Sequence, residues 1–278
     1  MNIARRASRI QTIRLVALPI LALALAFSGL AAHPATAVAG TTVKVVVVVG
    51  PVEGSTAKYI RSAKSYAELA RSYGAIVVEV YSPRATWAKV KAAAKGASIF
   101  IYLGHGNGYP SPYGPMSGER RNGMGLNKTY GHGNSNVKYY GQTFMRSGLD
   151  LATNSVVLLN HLCYASGNSE PGRKLPSTSI AKQRADGYAT GFLRTGARAE
   201  FATGNGSLSP ILTDLFTSDK TMGQIFQDDR SFSGAHDFKF ASKHTSWATA
   251  WLDPSSKGRY YHSVVGRLTL TATQVRAG

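Results

Sequence analysis

The chain has 278 residues, of which 44% are hydrophobic and 17% charged, so it can bury a large core, and neither a disordered polar tail nor a coiled coil fits this composition. Its 32 Lys and Arg against 14 Asp and Glu give a formal charge of +18, which favours anionic surfaces and excludes an acidic, solvating protein. The single cysteine excludes an intrachain disulfide, a cysteine-based zinc site and an iron–sulfur cluster.

The first 39 residues have the pattern of a secretory signal peptide. Four arginines and no acids precede an almost wholly apolar run over Leu15–Ala32, and small residues at 35–39 offer two cleavage sites. An uncleaved N-terminal anchor is the competing interpretation, because this run is long enough to span a tilted or thinned bilayer. Pro19 and the Ala-rich exit favour cleavage. We therefore predict residues 1–39 as the signal peptide of a secreted or extracellular protein.

Strands and helices alternate in the first part of the mature chain. Val43–Val49 is a β-branched run interrupted only by Lys44 and closed by Gly-Pro, which is typical of a strand covered on both faces in a parallel sheet. Helix and strand patterns follow in turn, with a helix from Ser55 or Thr56 to Gly74, a strand over Ile76–Tyr81, a helix over Ala85–Lys95 and a strand over Ser98–Leu103. This alternation predicts a parallel sheet whose ligands bind beyond the carboxyl ends of its strands.

The second part of the chain has a long loop and a weaker pattern. Little periodicity appears from Tyr109 to about Tyr140, so we predict a long loop there. The elements predicted after it are a helix over Gln142–Leu149, a strand over Ser155–Leu162, a helix from Ser177 to Gly196, a strand over Arg198–Thr203, short helices over Pro210–Phe216 and Met222–Gln227, and a strand over Ser263–Thr271. The whole pattern predicts one α/β domain over 40–278, a three-layer sandwich with a mostly parallel central sheet and a C-terminal extension from about residue 205.

Two residues with reactive side chains, a histidine and a cysteine, follow the ends of apolar strands. His105 lies in Leu-Gly-His-Gly-Asn after one strand, and Cys163 lies in Leu-Asn-His-Leu-Cys-Tyr after another. A nucleophilic cysteine needs a base, and it needs backbone donors where an oxyanion forms. His105 is a candidate base, and the N–H groups of Gly106 and Cys163 are candidate oxyanion donors.

At these residues the chain resembles the caspase-like (clan CD) cysteine peptidases, which include caspases, metacaspases, legumains, clostripain and gingipains. Those proteins place a His-Gly pair after one hydrophobic strand and a cysteine after the next, as residues 99–106 and 156–163 do here. The resemblance spans about residues 43–203. It implies a caspase-like fold, a peptide or protein substrate, His105 as general acid and base, Cys163 as nucleophile and the Gly106 N–H in the oxyanion hole.

Other interpretations of the same residues stay open. Cys163 also fits a small apolar residue at a strand end, and His105 fits a hydrogen-bonded histidine in a Gly-rich turn. His161 lies two residues before Cys163 and, on a continuing strand, would project to the same side, so these two with His105 could bind a transition metal. No carboxylate motif supports that site, and we expect neither a metal nor a cofactor. His132, also between two glycines, follows no strand and is interpreted as loop.

The positive charge belongs to the mature chain. Without the four arginines of the leader it has 28 basic and 14 acidic residues, a charge of +14. The basic residues form no long run, so we expect no specific nucleic-acid site but attraction to an anionic cell wall or membrane surface. The leading hypothesis is a secreted cysteine peptidase with a Cys-His dyad, and the alternative is a non-catalytic secreted α/β module that binds cell-wall polymer or peptide.

Overall fold

A computed structural model describes residues 42–278. The predicted signal peptide lies outside the described residues. Residues 42–278 form ten strands: β1 (Lys44–Val49), β2 (Ile76–Tyr81), β3 (Ile99–Leu103), β4 (Met124–Asn127), β5 (Val137–Tyr140), β6 (Ser155–Asn160), β7 (Ala197–Thr203), β8 (Phe238–Ala241), β9 (Thr249–Pro254) and β10 (Tyr260–Gly266). The same residues form seven α-helices: α1 (Thr56–Ser72), α2 (Trp87–Ala94), α3 (Gln142–Gly148), α4 (Thr178–Phe192), α5 (Ser209–Thr217), α6 (Met222–Asp228) and α7 (Ala272–Ala277).

Eight strands form one central sheet in the order β2-β1-β3-β6-β7-β10-β9-β8. The first five strands of this order pair in parallel, with Val45 opposite both Val77 and Ile99 and with Leu103 opposite Asn160. The last three are antiparallel to their neighbours. Because β1, β3 and β6 are buried on both faces, they consist of the continuous apolar runs that the sequence shows.

Alternate residues of the central strands face two separate cores. Val45 and Val47 pack in the core that contains residues of α1, α5, α6 and α7, whereas Val46 and Val48 pack in the core that contains residues of α2, α3 and α4. Helices therefore cover both faces of the sheet. The predicted fold class, an α/β three-layer sandwich with a mostly parallel central sheet, is confirmed.

The chain beyond residue 205 completes the sheet. Strands β8, β9 and β10 extend the sheet beyond β7, and Val265 and Leu252 pack with Ala185 of α4. The predicted short helices correspond to α5 and α6. The predicted last strand was wrong after Gly266, because Thr271 caps α7, where its hydroxyl accepts a hydrogen bond from the N–H of Gln274.

The predicted long loop contains a two-stranded antiparallel sheet. Strands β4 and β5 pair with Met124 opposite Tyr140, and Met124 and Leu126 are fully buried. The Tyr102 hydroxyl donates a hydrogen bond to the Gly125 carbonyl, which ties β4 to the end of β3. Strands of four residues are too short for the alternation of polar and apolar residues to mark them, so the prediction of an unstructured loop was wrong here.

Within residues 42–278, no helix has the length and apolar character needed to cross a membrane.

Candidate active site

The carboxyl ends of β3 and β6 lie side by side and position the two candidate catalytic residues. Leu103 pairs with Asn160, which are the last residues of the two strands. The segment 104–108 leaves β3 and the segment 161–167 leaves β6 at the same edge of the sheet. His105 and Cys163 therefore both stand at the edge where parallel α/β sheets bind ligands.

Gly106 brings these two segments into backbone contact. A Cβ atom built on Gly106 would lie 2.3 Å from the Cys163 carbonyl oxygen and 3.3 Å from the Leu162 Cβ. No side chain fits in that space, so glycine is required by the close approach. The contact joins the residue after His105 directly to the residue proposed as nucleophile.

The backbone of His105 is held by hydrogen bonds to its carbonyl oxygen. Both the Tyr102 hydroxyl and the Gly125 N–H donate to that oxygen, each at 3.0 Å. Tyr102 is fully buried, so the position of the His105 backbone is fixed by the core of the domain. Among the described residues, no hydrogen bond engages the His105 imidazole.

The thiol and the imidazole are both neutral near pH 7. Burial and, to a smaller extent, the Glu170 carboxylate together raise the pKa of Cys163 to about 11. Burial also lowers the pKa of His105, against the opposing effect of Glu53 and Glu170. No hydrogen bond joins the thiol to the imidazole in this part of the chain. The site therefore holds no preformed thiolate–imidazolium pair in the free protein.

Two backbone N–H groups at the site make no hydrogen bond within the described residues. Neither the Gly106 N–H nor the Cys163 N–H donates to an acceptor within residues 42–278. Buried or half-buried N–H groups are normally paired, so donors left open beside a nucleophile suit the binding of an oxygen from a substrate. This is the arrangement that an oxyanion hole needs.

Glu170 is a component of the site that the sequence did not indicate. Its two carboxylate oxygens accept hydrogen bonds from the hydroxyls of Tyr113 and Tyr164, both at 2.6 Å. The same carboxylate contributes to the raised pKa of Cys163 and opposes the lowering of the His105 pKa by burial. Glu170 lies in a polar loop without a motif, so only the fold brings it to the thiol and the imidazole.

A cavity of about 550 Å³ opens beside the site. Tyr164, the residue after Cys163, forms part of its wall together with Arg173 and Arg184. The Arg184 guanidinium lies 4.7 Å from the centre of the Tyr164 ring and donates to the carbonyl oxygens of Pro110 and Asn168.

The position predicted for His161 was wrong. Strand β6 ends at Asn160, and His161 has a φ of 61°, so strand alternation no longer relates it to Cys163. Its ring stacks on Tyr59 with centroids 5.3 Å apart, and its Nδ1 lies 3.3 Å from the Gly204 carbonyl oxygen. Across residues 42–278, no group of three or more His, Cys, Asp or Glu side chains is placed to hold a metal ion.

Comparisons with known proteins do not assign this chain to a family. No family model matches the sequence, and no curated protein matches it. Among solved structures, the Arg-specific cysteine proteinase gingipain R is similar with 14% sequence identity and a TM-score of 0.36. The match covers 84% of this chain and spans only 62% of the length of that structure. At so low a TM-score the likeness carries no argument about this chain.

Gly106→Ala is expected to destabilise the protein. The added methyl group collides with the Cys163 carbonyl oxygen, so the two segments must separate. We expect the free energy of unfolding to fall by about 1–3 kcal/mol, as for overpacking of a tight contact. Urea unfolding measures this loss. Gly54→Ala is the control, because a Cβ at that exposed glycine meets no atom within 4 Å and its φ lies outside the left-handed region. Equal stability of Gly106→Ala and wild type would contradict the close approach of Gly106 to the Cys163 carbonyl oxygen.

Proposed function

We propose that the protein is a cysteine peptidase that hydrolyses peptide bonds with Cys163 as nucleophile and His105 as general acid and base. The observation that carries the proposal is the backbone contact between Gly106 and Cys163. Because Gly106 follows His105 directly, this contact holds the backbones of His105 and Cys163 close together at one edge of the sheet. The caspase-like arrangement of a His-Gly pair and a cysteine after neighbouring strands supports the same assignment.

The neutral state of both groups defines how the reaction would begin. The Cys163 sulfur attacks the carbonyl carbon of the peptide bond while its proton passes to the neutral His105 imidazole. The carbonyl oxygen becomes an oxyanion that accepts hydrogen bonds from the N–H groups of Gly106 and Cys163. The C–N bond then breaks, the imidazolium gives its proton to the leaving amine, and a thioester remains on Cys163.

Hydrolysis of the thioester completes the cycle. His105 takes a proton from water as the water oxygen attacks the thioester carbonyl. The C–S bond breaks, the peptide acid leaves, and the proton returns from the imidazolium to the sulfur. Every step uses the same two side chains and the same two backbone donors.

The raised pKa of Cys163 favours a second candidate, a non-catalytic α/β module that binds peptide or cell-wall polymer. An activated cysteine usually has a lowered pKa, and Cys163 has the opposite shift. In this candidate Cys163 is only a half-buried residue of the core. The two candidates differ in whether a peptide-based electrophile reacts with the thiol much faster than a small reagent does.

We expect slow alkylation of the free protein at neutral pH. Because Cys163 ionises with a pKa of about 11, the rate of reaction with iodoacetamide should climb through pH 9 and pH 10 towards that midpoint. Mass spectrometry of the intact protein at timed intervals measures the rate, and the single cysteine makes the signal specific. A plateau reached below pH 8 would show a preformed thiolate and contradict the neutral pair.

We also propose that the protein is exported, acts on peptides or proteins outside the cytoplasm and is held near anionic surfaces by its positive charge. The basic and apolar pattern of residues 1–39 supports export. The expected result is that protein recovered from the culture medium or cell surface begins near residue 40, as measured by its intact mass. Full-length protein retained in the membrane fraction would support the anchor instead.

A further inference from the structure

The edge strand β2 leaves one row of its backbone groups unpaired. It is the first strand of the sheet and, among residues 42–278, pairs only with β1. The N–H groups of Ile76 and Ser82 donate to β1, so alternation turns the N–H and C=O groups of Val77, Glu79 and Tyr81 away from the sheet. An edge of this kind is a template for another strand.

A groove of about 890 Å³ runs along this open edge. Helix α1 contributes Ile60 and Lys64 to it, and helix α2 contributes Lys89 and Ala93. The side chains of β2 are half-buried in this groove, whereas those of the neighbouring strand β1 are almost all fully buried. The groove therefore combines an apolar floor with unpaired main-chain donors and acceptors, which is what an added strand requires.

The rim of the groove is strongly basic. Lys44, Lys64, Arg84 and Lys89 line it, and Glu79, the one acidic residue among the described residues that line it, is already paired with Arg71. Two copies of this chain joined edge to edge would bring their lysines and arginines together, which opposes self-pairing. An acidic segment meets complementary charge on both walls of the groove.

We propose that β2 is a docking site for an extended, acidic segment of a partner protein, which adds to the sheet as a further parallel or antiparallel strand. The outward N–H groups of Val77, Glu79 and Tyr81 and the outward C=O groups of Val77 and Glu79 bind its backbone. Lys64 on α1 and Lys89 on α2 bind its carboxylates. This site is separate from His105 and Cys163 and does not rest on the peptidase activity.

A labelled peptide tests the site directly. The probe is a fluorescein-labelled Glu-Glu-Val-Val-Glu-Glu hexapeptide, which as an added strand has carboxylates on both faces of the sheet, and its binding to the purified protein is measured by fluorescence anisotropy at low and high salt. We expect saturable binding that weakens with salt, no binding of the Lys-Lys-Val-Val-Lys-Lys peptide, and unchanged binding by the Cys163→Ser variant. Absence of binding by the acidic peptide overturns the proposal.

Two substitutions at one position separate main-chain pairing from simple charge attraction. Glu79→Pro removes an outward N–H that the sheet does not use, and Glu79→Ala keeps that N–H while losing the same ion pair with Arg71. With folding of both variants checked by circular dichroism, we expect affinity at least about tenfold weaker for Glu79→Pro than for Glu79→Ala. The double variant K64E/K89E should also bind at least about tenfold more weakly than wild type.

Two outcomes would contradict the proposal. Equal affinity of Glu79→Pro and Glu79→Ala, together with equal binding of a peptide that is N-methylated on alternate residues, would reduce the interaction to charge alone. A dimer in sedimentation velocity that is lost in Glu79→Pro and that blocks the peptide would show that a second copy covers β2.

Discussion

Cys163→Ala is expected to abolish peptide hydrolysis. The sulfur is the nucleophile that attacks the peptide bond in the proposed reaction, and alanine removes it without adding bulk. Loss of a nucleophile in hydrolases of this type costs on the order of 10⁴-fold or more in kcat, so no cleavage above background should remain. Because the substrate is unidentified, the measurement is mass spectrometry of a diverse peptide mixture before and after incubation with the protein.

Cys163→Ser is the matched control for this loss. Serine keeps the size of the side chain and a hydroxyl in place of the thiol, so the fold and the neighbouring contacts are retained. The hydroxyl is a far weaker nucleophile near a neutral base, and we expect little or no hydrolysis. Equal cleavage by wild type and Cys163→Ala would show that Cys163 is not the nucleophile.

His105→Gln is expected to lower kcat/KM by about 10²–10⁴-fold, the range for loss of a positioned acid–base group. Glutamine keeps a polar side chain but cannot take a proton from the thiol. His132→Gln is the control, because His132 also stands between two glycines but lies exposed in the loop between β4 and β5. The control variant should keep wild-type activity, and a similar loss in both variants would remove the special role of His105.

The pH profile distinguishes a base from a structural histidine. Burial lowers the pKa of His105, so its imidazole stays neutral at a pH where an ordinary histidine is half protonated. The activity of the wild-type protein should therefore hold as pH falls through about 6.5 and be lost only below it. In His105→Gln only the thiolate can attack, so its residual rate should keep rising towards the Cys163 pKa of about 11. Parallel profiles for the two proteins would contradict proton transfer to His105.

The central part of the fold was predictable because its strands carry unambiguous patterns. Strands such as β1 and β3 are continuous apolar runs bounded by glycine or proline, which predict burial on both faces of a parallel sheet. Helix ends were marked in the same local way, as at Ser177, whose side chain accepts a hydrogen bond from the N–H of Ile180. These features depend on neighbours in sequence, so the sequence alone carries them.

The predictions of secondary structure were wrong where contacts between residues distant in sequence determine the structure. Strands β4 and β5 are only four residues long and form because they pair with each other and pack beside Tyr102. Strand β6 ends two residues early because His161 adopts a positive φ and stacks on Tyr59, which lies about a hundred residues away along the chain. No local pattern contains these contacts.

The candidate site was partly predictable for a related reason. His105 and Cys163 follow predicted strands, and parallel strands place their carboxyl ends at one edge, so their common position follows from topology. Glu170 and Arg173 come from a loop without periodicity, and Arg184 lies on α4, where no motif marks it as part of the cavity wall. The raised pKa of Cys163 could not be predicted from the sequence either, because it depends on how deeply the thiol is buried and on the Glu170 carboxylate.

The most direct test of the central claim compares labelling of Cys163 by a peptidyl acyloxymethyl ketone in three proteins. Wild type and His132→Gln should form the adduct at the same rate, and His105→Gln should form it at least about 100-fold more slowly, since the imidazole must take the thiol proton. Peptide mapping locates the adduct on Cys163. Equal rates in all three proteins, or no adduct while iodoacetamide modifies the thiol fully at high pH, would contradict the Cys163–His105 pair.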